Sequence, residues 1–308
     1  MVIQQSLTKG IACGVAAGVC WGVIFLGPAL TPGLSGTAFA VLRFMCYGLF
    51  SVVLLLPRWR RVCATLTRAD WVSLFWLSLI GNVLYYALVG TGVQQVGVAT
   101  TSLIVGLIPV FVALAGRRDA HAVPIRRLAP SLCSAMAGVA LISFHALGAE
   151  HAAGTGATHK LGLLCAFGAL SSWSWYAVSN ARRLAIVQVS AHDWALLTGV
   201  MAGAQSLLLA VPLLGPELAT LDTSTWIHHL VVAAGVALLA SVVGGAFWNQ
   251  ASRLLPLALS GQVLVVETLA ALLLGFMWEQ RWPSIVELIA IVLLVLGVVW
   301  CLLCHQRR

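Results

Sequence analysis

The stretch GVATTSLIVGLIPVFVALAG, residues 97–116, lies without gaps on PLALSGQVLVVETLAALLLG, residues 256–275. Ala99 meets Ala258, Gly116 meets Gly275, and Pro109 falls opposite Thr268. Near the start of each half, Trp21 similarly falls opposite Trp173. A repeat of this kind in an apolar chain is a recurring transporter device, because two similar halves can rock about a site at the membrane midplane. The competing explanation is chance, since apolar helices draw on few residue types.

Outward from that pair the rest of the chain reads alike. It has 308 residues, 61% of them hydrophobic and 8% charged, with a mean hydropathy of +1.00. Soluble domains carry about 25% charged residues. Too little polar surface exists to cover a globule in water, which excludes a cytosolic enzyme, a disordered chain and a disulfide-stapled secreted domain. A bilayer core of about 30 Å takes about 20 apolar residues per helix. Ten such stretches can be marked: 10–30, 36–56, 71–92, 98–116, 127–147, 160–181, 194–214, 226–249, 257–276 and 285–304. The first is too long for a signal-peptide core and reads as a span. All must be helices, because lipid offers no partner to a free backbone amide. The expected fold is therefore all-α: a polytopic membrane protein of ten transmembrane helices in two five-helix repeats, 1–150 and 151–308. Five is odd, so the second repeat runs inverted.

The net charge of +8 would suggest nucleic acid in a soluble protein, but the basic residues sit in short clusters between apolar stretches and read as orientation signals. With the N-terminus cytoplasmic, the inner segments hold Lys9, Arg58, Arg60, Arg61, Arg68, Arg117, Arg118, Arg126, Arg127, Arg182, Arg183, Arg253, Arg307 and Arg308. The outer segments hold Lys160 and Arg281. Both termini are thus expected in the cytoplasm. Trp59, Trp71, Trp194, Trp226, Trp278, Trp282 and Trp300 fall at span ends, as interfacial anchors do. The cysteines inside apolar stretches read as small hydrophobes. The histidines His151, His159, His228 and His229 show no metal-ligand pattern and read as solvated. Neither a cofactor nor a metal is implied.

Ten spans with cytoplasmic ends, the Trp-bearing first and sixth helices, VGLIP in span 4 and LVVETLAALLLG in span 9 resemble the EamA family of the drug/metabolite transporter superfamily, across almost the whole chain. WSWYAVSNARR (173–183) and AFWNQASRLLPLALSG (246–261) further resemble aromatic amino acid exporters of the YddG type. The resemblance implies a bacterial inner-membrane exporter of amino acids, aromatic ones above all, working by alternating access without covalent chemistry. The sequence departs from the family where Glu267-Thr268 replaces the frequent Glu-Pro. Span 1 lacks the acid on which small four-span relatives rely, so their proton-antiport scheme does not carry over.

Ionisable residues inside a membrane are costly and point to function by default. Glu267 lies near the middle of span 9, and Arg43 lies inside span 2. Three readings are open: a structural ion pair, a carboxylate that takes a substrate ammonium or proton while Arg43 snorkels outward, or a neutral Glu267 bonded to backbone. Aromatic and amide residues gather at mid-span: Trp21; Trp76, Asn82, Tyr85 and Tyr86; Trp173, Trp175, Tyr176 and Asn180; Trp248 and Asn249. An aromatic cargo needs π-faces for its ring and a few placed donors and acceptors for its ends. Asn82 and Tyr86 share one face of span 3; Trp173, Tyr176 and Asn180 share one face of span 6. Each aromatic also fits simple packing, and each amide an interhelical hydrogen bond. The candidate substrate-binding set is Trp21, Asn82, Tyr86, Ser102, Gly106, Trp173, Tyr176, Asn180, Trp248, Asn249, Gln262 and Glu267, with Pro109 as a kink in span 4. Gly14-x-x-x-Gly18, Gly199-x-x-x-Gly203 and Gly244-Gly245 read as packing sites.

The rival transport reading is another small metabolite or a drug. A phosphate ester is disfavoured, because only Arg43 serves as a midmembrane cation. An enzyme is disfavoured because no H-E-x-x-H and no convergent Ser/His/Asp set occurs in the spans. A retinal receptor would need a midmembrane lysine, which is missing; a channel is a further alternative. The implied partners are an amino acid and the lipid bilayer, not nucleic acid, and the sequence leaves monomer against homodimer undecided.

Overall fold

The computed structural model describes residues 2–115, 124–150, 156–278 and 280–306. The described residues form helices and no strand. Six segments are long and apolar enough to cross a membrane: Gly36–Cys63, Arg68–Gly92, Lys160–Leu184, Ala191–Leu213, Thr223–Leu254 and Leu259–Trp278, joined by the shorter apolar Ile285–Gly297. Large apolar side chains stand fully outward, Leu208 at 81% and Val211 at 80% exposure. Water would penalise such a surface and lipid would not.

The principal helices are α1 Val2–Gly22, α2 Gly36–Leu55, α3 Arg68–Ser78, α4 Tyr85–Val105, α5 Ile108–Ala115, α6 Ile125–Glu150, α7 Gly156–Leu184, α8 Ala191–Leu213, α9 Thr223–Val236, α10 Gly245–Leu254, α11 Leu257–Val263, α12 Val265–Trp278 and α13 Ile285–Gln306. Sequence sets their starts. Ser35 accepts the Ala38 amide at the head of α2, and Ser190 accepts the Asp193 amide at the head of α8. Thr67 and Asp70 close a capping box on α3. Such side chains satisfy amides that have no partner within the helix. The first span extends beyond its expected limits: α1 begins at Val2, and a 3-10 turn, Val23–Leu26, precedes Gly27–Leu30.

α4 unites the expected ends of spans 3 and 4, yet it is not straight. A Cβ on Gly92 would lie 3.1 Å from the Thr101 hydroxyl. Nine residues of straight α-helix would separate them by about 13 Å, so the chain doubles back between them, where the sequence places a break at 93–97.

Two π-helical segments interrupt the bundle, Leu79–Leu84 between α3 and α4, and Ala237–Gly244 between α9 and α10. The register that lays 97–116 on 256–275 also lays 79–84 on 238–243, inside the second segment. The chain also breaks at nearly matching points, after Val105 and after Val263. Pro109 is the second residue of α5, where its missing amide costs least.

Packing is closest where glycines meet. α2 lies against α8, and a Cβ on Gly48 would come within 2.6 Å of the Gly203 Cα. α1 lies against α12, where a Cβ on Gly18 would sit 2.9 Å from the Glu267 amide nitrogen. α4 packs on α7, and α6 on α13. Arg58 pairs with Asp193 at 3.0 Å and Arg183 with Asp70 at 2.9 Å, joining the first half of the chain to the second. At the opposite end, Ser35 gives its amide and hydroxyl to Glu217 at 2.7 and 2.5 Å.

Three sequence expectations are corrected. Trp194 is no interfacial anchor: it is fully buried, and its indole N–H donates to Asn180 at 2.9 Å. His229 is not solvated but fully buried; its neighbour His228 contacts the Leu30 carbonyl at 2.9 Å. Trp76 and Trp175 face outward, at 48% and 43% exposure. The side chains of His151 and His159 lie outside the described residues.

Candidate functional site

The two π-helical segments face one another across a buried cavity. Gly81 and Asn82 line it from the first, Ala240 and Ser241 from the second. A π-helical turn places one extra residue in the ladder and changes which carbonyls and side chains point inward, often at functional sites. Both segments are tied in the same fashion. The Trp21 indole donates to the Ala240 carbonyl at 2.9 Å, and the Ser172 hydroxyl donates to the Ile80 carbonyl. The first bond joins α1 to the later segment; the second joins α7 to the earlier one.

Aromatic rings make the wall. Trp21 stands edge-on to Trp173 with centroids 5.9 Å apart, and Trp173 lies 5.7 Å from Tyr176. Tyr86 continues the wall through Tyr85 at 4.8 Å and Phe44 at 5.4 Å. Tyr176 owes its position to Gly81: a Cβ there would be 2.2 Å from the ring. These separations suit edge-to-face and tilted ring pairs.

Charge enters from two elements. Arg43 of α2 is 2% exposed, with its guanidinium 4.4 Å from the centre of the Phe44 ring and 4.2 Å from that of Tyr86. One terminal nitrogen reaches the Ser241 hydroxyl at 3.4 Å, and the other, Nη2, has no hydrogen-bond partner among the described residues. Arg43 therefore does not snorkel. Glu267, in the first turn of α12, lines the same cavity. Among the described residues no direct ion pair joins the two. The Asn82 amide nitrogen also lacks a hydrogen-bond partner among the described residues. The cavity leaves about 40 Å³ for the centres of water molecules. That is room for a few waters, against roughly 300 Å³ or more in a typical ligand pocket.

Of the sequence-predicted residues, Trp21, Asn82, Tyr86, Trp173, Tyr176, Asn249 and Glu267 come together on this cavity. Trp248 lies behind it, 2% exposed, with its ring 5.4 Å from Trp21 and 5.5 Å from Trp173. Asn180 sits deeper in a buried lattice: it donates to Asn249 at 2.9 Å and accepts from Trp194. Gln262 is elsewhere, accepting from Ser131 at 3.2 Å beside a separate apolar cluster. Gly106 falls in the break between α4 and α5. The side chain of Ser102 lies outside the described residues. Sequence reasoning weighed Arg43 but left it off the site, and it missed Ser241, Tyr47 and Thr198. The repeat register held a signal for Ser241, which it places opposite Asn82.

The sequence profile of the EamA-like transporter family matches residues 8–144. The inner membrane protein YtfF of Escherichia coli (strain K12) is 31% identical over 312 residues, covering 95% of this chain and 94% of that protein. A solved crystal structure superposes with a TM-score of 0.69 at 19% identity, over 97% of this chain and 98% of the other, a likeness of fold alone. With an all-helical fold among the described residues, membrane-length apolar helices and a relative matched over 95% of the chain, this multi-pass membrane protein belongs to the EamA-like transporter family.

Proposed function

We propose that the chain exports amino acids, aromatic ones in particular, across the bacterial inner membrane by alternating access. The carrying observation is the buried cavity walled by Trp21, Tyr86, Trp173 and Tyr176 and holding one cation, Arg43, beside one carboxylate, Glu267. Rings offer π-faces to a ring, and the polar groups offer partners to charged ends. In this reading the substrate site is built from those six residues with Asn82 and Asn249, while Trp248 and Asn180 hold them in place.

The reading includes ten spans in two inverted repeats, 1–150 and 151–308, with both termini cytoplasmic. Support comes from the shared register of the π-helical segments, from the matching helix breaks, and from the reciprocal tethers of Trp21 and Ser172. The contraction of the cavity to a few waters fits a closed stage of a cycle in which either end opens to admit cargo.

Counterflow of labelled phenylalanine in proteoliposomes tests this. Saturable exchange, inhibited by tryptophan and tyrosine, is expected; no flux of any aromatic amino acid overturns the cargo assignment. The same small cavity volume favours a second reading, in which a smaller metabolite is the cargo; alanine, threonine and cysteine in the same assay would reveal it.

A further inference from the structure

Glu267 and Arg43 were open to three readings from sequence, and the geometry narrows them. Arg43 is buried to 2% exposure, lies against the rings of Phe44 and Tyr86, and keeps Nη2 without a hydrogen-bond partner among the described residues. Its bond to Ser241, at 3.4 Å, is long and weak. A guanidinium presents donors in a rigid fork that matches a carboxylate. Glu267 faces the same space and makes no ion pair with Arg43 among the described residues.

We infer that Arg43 and Glu267 grip the two ends of a zwitterion, so that the cavity selects free α-amino acids as a class and rejects the matching amines and carboxylic acids. This deepens the export reading and rests on its claim that the cavity is the substrate site. The reason is charge balance in a buried place. The ammonium of a bound zwitterion favours the ionised form of Glu267, and the cavity then carries one charge of each sign. A zwitterion brings one of each and leaves every charge paired. An amine reaches Glu267 and strands Arg43, whereas a carboxylic acid does the reverse. An unpaired charge away from water is costly, and the strandable partner is fixed in the walls. The ring cage sets which side chain is preferred; the charge pair sets that the cargo is an amino acid at all.

The test is competition against labelled phenylalanine counterflow by phenylalanine, phenethylamine and 3-phenylpropionate, in wild type, Arg43→Gln, Arg43→Lys and Glu267→Gln. In wild type, phenylalanine is expected to compete at least tenfold better than either analogue. Arg43→Gln should lose tenfold or more for the amino acid while retaining the amine, and Glu267→Gln should retain the carboxylic acid. Arg43→Lys, which keeps the charge and loses the fork, should fall between wild type and Arg43→Gln. Direct binding of each compound, followed by tryptophan fluorescence of the detergent-purified variants after size-exclusion chromatography, covers a variant that binds but does not move cargo. Equal competition by all three compounds in wild type overturns the inference, as does an Arg43→Gln protein that is monodisperse and loses amine and amino acid alike. If aromatic amino acids are not carried but alanine or threonine is, the same comparison, with ethylamine and propionate for alanine or 1-aminopropan-2-ol and 3-hydroxybutyrate for threonine, shows the aromatic assignment failing while the charge grip stands. If no zwitterion binds, both fail.

Discussion

A single missing methyl group fixes the aromatic wall. Tyr176 occupies the space that any side chain on Gly81 would fill. Gly81→Val should therefore drive the ring into the cavity, abolishing transport while the variant remains monodisperse by size-exclusion chromatography. Trp194→Phe makes a different point. It removes the indole donor to Asn180 in a fully buried place, and an unsatisfied buried acceptor costs about 1–3 kcal/mol. A lowered Tm in detergent, with transport largely kept, is the expected outcome. Spacing alone had put Asn180 on one face with Trp173 and Tyr176. The face was legible, but the depth was not: seven residues carry a side chain about 10 Å along a helix, out of the cavity and into contact with Trp194 and Asn249. Gln262 shows the same limit, since a polar residue in an apolar stretch announces a buried partner without saying which helix supplies it.

At the level of the helix, the two π-helical segments are what the sequence hid most completely. LIGNVL (79–84) and ALLASVVG (237–244) share no residue pattern that would call for an extra residue per turn. Their agreement emerges only when the two are laid in register. Other elements were plain from the start. The limits of α2, α8 and α13 agree with the hydropathy reading to within a few residues, because the bilayer imposes their length and Ser35 and Ser190 mark two of the starts. Gly199-x-x-x-Gly203 was legible as a packing seam. Gly203→Leu should cost about 1–3 kcal/mol or more through overpacking against Gly48, read as a lowered Tm or as lost expression.

The whole molecule is laced at both ends. Arg58 with Asp193 and Arg183 with Asp70 join the halves on the side richest in arginine, while Ser35 with Glu217 joins them on the other. Removing one lace should favour opening on that side. In a variant bearing Gly245→Cys as a reporter in the cavity wall and no other cysteine, Arg183→Ala with Arg58→Ala should raise labelling by a small thiol reagent severalfold from the arginine-rich side, and Glu217→Ala should raise it from the other. A C-terminal green fluorescent protein fusion should be bright, and a C-terminal alkaline phosphatase fusion inactive, if both termini face the cytoplasm. The all-helical, multi-pass membrane character was readable from hydrophobic length. The cavity was not, because Arg43 and Glu267 line it together, and residues more than two hundred positions apart in sequence carry no mark of sharing one wall. The seam of Gly48 and Gly203 has a mechanical consequence. Each glycine stands about 18 Å from the head of its own helix, close to halfway, and only bare backbone separates the two. A crossing of this kind acts as a fulcrum: a tilt of about 10° there swings tips about 15 Å away by roughly 2.5 Å, so a small change of angle at the centre becomes a wide stroke at the rims.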